Sequence, residues 1–193
     1  MRVQGGVTLG LLAGGRATRL GGTDKAWLVR DGMSQVHRWK RRFGPEVDAI
    51  LASSNGDGHP YAALDIRVVA DRVRDAGPVA GLDALARACD THWLLTLPVD
   101  LVGVNECLLP SLLSAAGDAG SFARDDDGAQ PLVALWRVDR LRDAVNTALE
   151  RGELAVHALQ AKLELREVRF EGVRFGNLNA PDDLRAAGMS LPP

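Results

Sequence analysis

The sequence predicts an α/β fold in which a doubly wound, mostly parallel sheet carries helices on both faces. Three observations carry that prediction. Apolar runs of strand length alternate with longer stretches whose apolar residues recur every three or four positions, a βαβ rhythm. A glycine-rich loop follows the first apolar run directly, where sheets of this kind place their ligand loops. Finally, 193 residues with 46% hydrophobic content suffice for one well-buried core and are too few for two comfortable ones.

The elements follow in order. Residues 7–12 (VTLGLL) read as the first strand, then 49–52, 66–70, 93–97 and 132–136, each a short apolar run. Between them, residues 33–43, 79–89, 106–114 and 138–150 show helical apolar spacing, as helices packed on a sheet should. We expect a single domain over 1–193, with 190–193 as a loose tail. The aspartates Asp125, Asp126 and Asp127 before Gly128 are expected to form a solvated turn, because side chains on consecutive residues diverge and do not converge on one ion.

Composition excludes several function classes. The net charge of −2, without a long Lys/Arg stripe, gives no push toward nucleic acid or acidic membranes, so the ligand should be small. The densest basic cluster, Arg38, Lys40, Arg41 and Arg42, reads as a solvated helix face. Cys89 and Cys107 are too far apart for a redox pair or zinc knuckle and suit a reducing cytoplasm. His37, His59, His92 and His157 are scattered and read as structural or surface residues. Neither a cleavable leader nor a membrane span is expected.

The chemistry concentrates in residues 11–25, which pack Gly14-Gly15, Arg16, Arg19, Gly21-Gly22 and Lys25 behind the first strand. Glycines let backbone N–H groups approach a ligand, and arginine and lysine donate to phosphate oxygens. The loop is therefore a polyphosphate cradle. A P-loop needs its lysine directly after glycine, but Asp24 intervenes here, and no register gives G-x-G-x-x-G, which removes a nicotinamide-dependent reductase. The pattern L-A-G-G-x-x-x-R-x-G-G-x-D-K instead resembles the signature of the molybdenum cofactor guanylyltransferases, within the sugar-nucleotide-type nucleotidyltransferase superfamily.

That resemblance implies the nucleotide-diphospho-sugar transferase fold. It also implies transfer of GMP from GTP, with Mg²⁺ as cofactor, to the terminal phosphate of molybdopterin carrying molybdenum, and release of pyrophosphate. A cytidylyltransferase, another phosphate acceptor, and a non-catalytic nucleotide- or cofactor-binding relative are the alternatives. Transient contact with molybdenum enzymes or their chaperones would follow. Arg19 and Lys25 become the cations that stabilise departing pyrophosphate. Backbone around Leu12, Ala13, Gly14 and Gly15 would face base and phosphates. Asp100, in Pro98-Val99-Asp100, matches a P-x-D whose aspartate binds magnesium; spacing alone allows a helix or turn cap equally well.

By itself Asp71 is a turn residue, but the family has a nucleotide-contacting aspartate before G-P-L-A-G, here Gly77-Pro78-Val79-Ala80-Gly81. Gly77 and Gly81 suit a tight helix entry. Asn177 and Asn179 resemble the family's N-x-N-T-P-x-D-L, where the asparagines lie near the acceptor; without the resemblance this is only a helix start at Pro181 with Asp182 and Asp183 in its first turn. Three departures stand out. Leu101-Val102-Gly103 replaces the usual prolines after the metal aspartate; Ser53 stands for the first residue of the family's N-x-N, which touches the nucleotide, while Asn55 matches the second; and Ala180 replaces a capping threonine.

Overall fold

A computed structural model describes residues 4–14, 24–56, 58–178 and 181–191. Its centre is a seven-stranded sheet. The strands are β1 (Val7–Leu12), β4 (Ala49–Ser53), β5 (Arg67–Val69), β6 (Trp93–Pro98), β8 (Gly120–Asp125), β9 (Gly128–Arg137) and β10 (Arg166–Arg169), in spatial order β10-β8-β9-β6-β1-β4-β5. Two small pairs complete the strands: β2 (Val29–Arg30) with β3 (Met33–Ser34), and β7 (Leu101–Val102) with β11 (Gly176–Asn177). The helices are α1 (Gln35–Phe43), α2 (His59–Ala62), α3 (Gly77–Ala88), α4 (Leu108–Ala115), α5 (Val138–Arg151), α6 (Val156–Lys162) and α7 (Pro181–Ala186).

Alternate residues of each central strand enter opposite cores, because side chains on a strand repeat every two residues. Leu9 and Leu11 of β1, Leu95 and Leu97 of β6 and Leu135 of β9 meet α1 and α4 on one face. On the other, Leu94, Ala134 and Trp136 meet α3, α5 and α6 through Leu82, Leu85, Leu141, Val145 and Leu159. The expected covering of both faces is present. Strands β1, β4, β5 and β6 run parallel, as do β8 and β10, while β9 lies antiparallel between β6 and β8.

That reversal comes from the aspartate run, in which Asp126 and Asp127 are the expected exposed turn while Asp125 is buried instead of solvated. Asp126 and Asp127 form a two-residue connection between β8 and β9, and so short a link joins only antiparallel strands. Asp125 is 3% exposed. Its carboxylate accepts from the Asp127 and Gly128 N–H groups at 3.0 Å each, from Gln130 Nε2 at 3.1 Å and from the Phe175 N–H at 2.7 Å. Burial alone pushes its pKa up, but these donors outweigh burial and hold the carboxyl below its ordinary value.

Other differences have local causes. Helix α1 starts at Gln35 because Met33–Ser34 is taken up by pairing with β2. Gly81 lies inside α3 and not at its entry, since the helix begins at Gly77. The basic face of α1 is only partly solvated: Lys40 donates to the Leu64 carbonyl and Arg42 Nη2 to the Glu106 carbonyl at 2.9 Å. Ser190, placed in the tail, exchanges two backbone hydrogen bonds with Val29 at 2.9 and 2.7 Å, and Met189 packs with Leu28, Leu178 and Leu184.

Candidate active site

Three parallel strands end side by side. Leu12 is in register with Ser53 on β4 and with Pro98 on β6, and the ladder continues one step further through Ala13 N–H to the Ser53 carbonyl at 2.9 Å and Val99 N–H to the Leu12 carbonyl at 3.1 Å. Everything that follows these ends shares one sheet edge. Gly14 leaves β1 there, Asn55 follows β4, Asp71 follows β5 and Asp100 follows β6. Gly15 and Arg19 lie outside the described residues, as do Asn179 and Ala180.

The first group is built around Asp71. Ser53 Oγ donates to its Oδ1 at 2.9 Å and Asn55 Nδ2 to its Oδ2 at 3.0 Å, while the Asp71 N–H donates back to Asn55 Oδ1 at 3.0 Å. Gly14 is next to this carboxylate, since a Cβ built on it would stand 3.7 Å from Asp71 Oδ2. Beneath, Gly81 lets α3 approach the strand ends, because a Cβ there would meet Leu12 Cδ2 at 2.8 Å and Ser53 Oγ at 3.0 Å. Arg72 fastens the next step of the loop to α3 by donating from Nε to Asp83 Oδ2 at 2.6 Å; Asp83 is 1% exposed and also accepts from Arg87 Nε at 3.0 Å.

The second group joins Lys25 and Asp100, 75 residues apart in sequence. Lys25 Nζ stands 2.6 Å from Asp100 Oδ2, with both side chains mostly shielded from solvent. The intervening Asp24 has a definite task. It caps the short 3₁₀ turn Lys25–Trp27 by accepting from the Ala26 N–H at 2.9 Å, and it accepts from the Tyr61 hydroxyl at 3.3 Å, which aims the following lysine inward. Burial, then the Asp24 carboxylate, push the Tyr61 phenol above its ordinary range. Nothing in the sequence pattern singled out Tyr61, although it is the chain's one tyrosine.

Asn177 reaches this group through the backbone. It is in antiparallel register with Leu101, and the Leu178 N–H donates to the Asp100 carbonyl at 3.1 Å, so the exposed Asn177 flanks the Asp100 turn. The departure Leu101-Val102-Gly103 now has a structural reason. Leu101 and Val102 pair with β11, and Gly103, at φ +82°, leaves room for the Arg174 carbonyl oxygen, which any Cβ would overlap.

No cluster of three or more His, Cys, Asp or Glu side chains that could hold a metal occurs among the described residues. The single carboxylate of Asp100 at the sheet edge fits a hard divalent cation that takes its remaining ligands from phosphate oxygens and water. No helix among the described residues is long and apolar enough to cross a membrane. Strand ends followed by a glycine-rich sequence, a lysine and two carboxylates, Asp71 and Asp100, fit a nucleotidyltransferase, a class whose chemistry is positioning and charge stabilisation.

Similarity to known proteins supports that class and narrows it. Residues 10–166 match the family described as the MobA-like NTP transferase domain. A molybdenum cofactor guanylyltransferase of Burkholderia orbicola is 37% identical over 193 residues, covering 91% of this chain and 92% of the relative. One from Cereibacter sphaeroides is 35% identical, covering 94% and 95%. The crystal structure of molybdopterin-guanine dinucleotide biosynthesis protein A from Archaeoglobus fulgidus superposes with a TM-score of 0.69 at 19% identity, covering 94% of this chain and 96% of that one, which bears on the fold. The chain belongs to the molybdenum cofactor guanylyltransferase family of MobA-like nucleotidyltransferases.

Proposed function

We propose that this protein transfers GMP from GTP to the terminal phosphate of molybdopterin, forming molybdopterin guanine dinucleotide and releasing pyrophosphate. The observation that carries the reading is the juxtaposition of Lys25 and Asp100 at the edge where Gly14 leaves β1, in a chain related along its length to guanylyltransferases. An oxygen of the acceptor phosphate attacks the α-phosphorus of GTP as the bond to pyrophosphate breaks. Asp100 would hold the divalent cation, Mg²⁺, which would supply charge neutralisation at the α-phosphate.

The chain's own groups do the rest. Lys25 and Arg19 are assigned to the β- and γ-phosphates, where their charge would stabilise the leaving pyrophosphate, and Gly15 is assigned to phosphate binding. Asp71, oriented by Ser53 and Asn55, fixes the nucleoside end. The Leu12 carbonyl and Ala13 N–H already serve the sheet, so the Ala13 carbonyl and Gly14 backbone are assigned to the base. Asn177 and Asn179 orient the acceptor. Relatives named guanylyltransferases weigh against the cytidylyl alternative.

Incubation with Mg²⁺, molybdopterin and either GTP or CTP tests the reading. The expected product is the guanine dinucleotide with stoichiometric pyrophosphate. Product from CTP alone, or nucleotide binding without any pyrophosphate release, would overturn it.

A further inference from the structure

Helix α1 begins ten residues after Lys25 and covers one face of the sheet. Two of its side chains do something else. Gln35, 2% exposed, donates from Nε2 to the Leu101 carbonyl at 2.7 Å, and Trp39, 6% exposed, donates from Nε1 to the Val99 carbonyl at 3.0 Å. Positions i and i+4 lie on one helix face, so a single face of α1 grips the carbonyls on both sides of Asp100. The carbonyl of Asp100 itself is taken by the Leu178 N–H at 3.1 Å. Three consecutive peptide groups around that aspartate are therefore held by three separate donors from two distant segments.

We infer that Gln35 and Trp39 are positioning residues that set the Asp100 carboxylate toward the nucleotide-bound divalent cation. The strand ladder ends at Pro98, so the turn that carries Asp100 receives no orientation from the sheet beyond Val99 N–H. Donors from α1 replace it. Gln35 also makes a poor purely structural residue, because its Oε1 is buried with no hydrogen-bond partner among the described residues. An apolar side chain would remove that orphan oxygen only by giving up the donor to the Leu101 carbonyl, so what Gln35 contributes at this position is that tie to the Asp100 turn. Partners behind a metal ligand act in this way, by fixing its direction without touching the ion.

The inference rests on the proposed assignment of the cation to Asp100, and its test separates the two. GTP affinity of the full chain is measured by calorimetry in chelator and again in excess Mn²⁺, and the ratio gives the factor by which metal tightens binding. Thermal melts accompany each variant. Gln35→Met keeps length and loses the donor; Trp39→Phe keeps an aromatic ring and loses the N–H. Each is expected to melt cooperatively, to bind GTP normally in chelator, and to lose about tenfold of the metal-dependent gain, while Asp100→Asn abolishes the gain. Should one variant fail to fold, the other carries the test, because each donor serves a different carbonyl. A full metal-dependent gain in a folded Gln35→Met or Trp39→Phe, with Asp100→Asn deficient, overturns the positioning role alone. An Asp100→Asn variant that keeps the gain overturns the metal assignment and this inference with it.

Discussion

The two halves of the site are built by different means. Around Asp71, every group sits at or just past the end of a parallel strand, and neighbouring strands deliver Gly14, Ser53, Asn55 and Asp71 to one edge as a consequence of sheet order. Around Asp100, the sheet delivers only the aspartate. Lys25 arrives on a capped turn, Asn177 on a two-residue strand, and the turn itself is gripped by α1. The Asp71 group is a product of topology, while the Lys25–Asp100 group depends on a few individual ties. On the proposed assignment, substitutions around Asp71 should weaken GTP binding with or without metal, whereas those around Asp100 should act on the metal-dependent part of GTP binding, on turnover and, beside Asn177, on acceptor use.

The largest effect is expected at the centre of the second group. Asp100→Ala should lower kcat by about 10²–10³-fold, as loss of a preorganised charge contact does, with GTP binding in chelator intact; steady-state kinetics beside calorimetry checks both. Gly103→Ala comes next. A side chain at φ +82° against the Arg174 carbonyl should cost about 1–3 kcal/mol of stability, and it should raise the KM for acceptor more than that for GTP. Equal changes in both KM values would blur the division.

Asp125 sharpens the comparison from outside the site, since it holds the Phe175 N–H just before β11. Its folded pKa is depressed, so its contribution is complete above about pH 4, the ordinary carboxyl range, and fades as pH falls through the lower folded value. Asp125→Asn should reduce stability by about 1–3 kcal/mol near neutrality and flatten the acid fall in Tm, read by thermal melts across pH. Smallest is Ser53→Ala, which removes one hydrogen bond to Asp71 and should weaken GTP binding by about 1 kcal/mol without altering the KM for acceptor.

The same division explains what was legible. Apolar runs and helical spacing disclosed β1, β4, β5, β6 and their helices, and with them the edge where Gly14, Asp71 and Asp100 meet. The turn at Asp126–Asp127 and residues 132–136 of β9 were legible, but β8 was not, and Asp125 looks like solvent-facing polarity whereas it turns its carboxylate inward onto four donors. Asp24 looked like a spacer, because a cap is visible only once its acceptor geometry exists. Gln35 and Trp39 carried no motif at all; their meaning lies in contacts with carbonyls more than 50 residues away. Strand periodicity is local in the chain, but ties of this kind are not.

The most direct measurement is a crystal structure of the chain with a non-hydrolysable GTP analogue and Mn²⁺, locating the metal by its anomalous scattering. A manganese peak is expected on the Asp100 carboxylate, with the triphosphate lying along residues 14–25 and the nucleoside beside Asp71. A peak on Asp71, or a triphosphate bound away from the β1 loop, would contradict it.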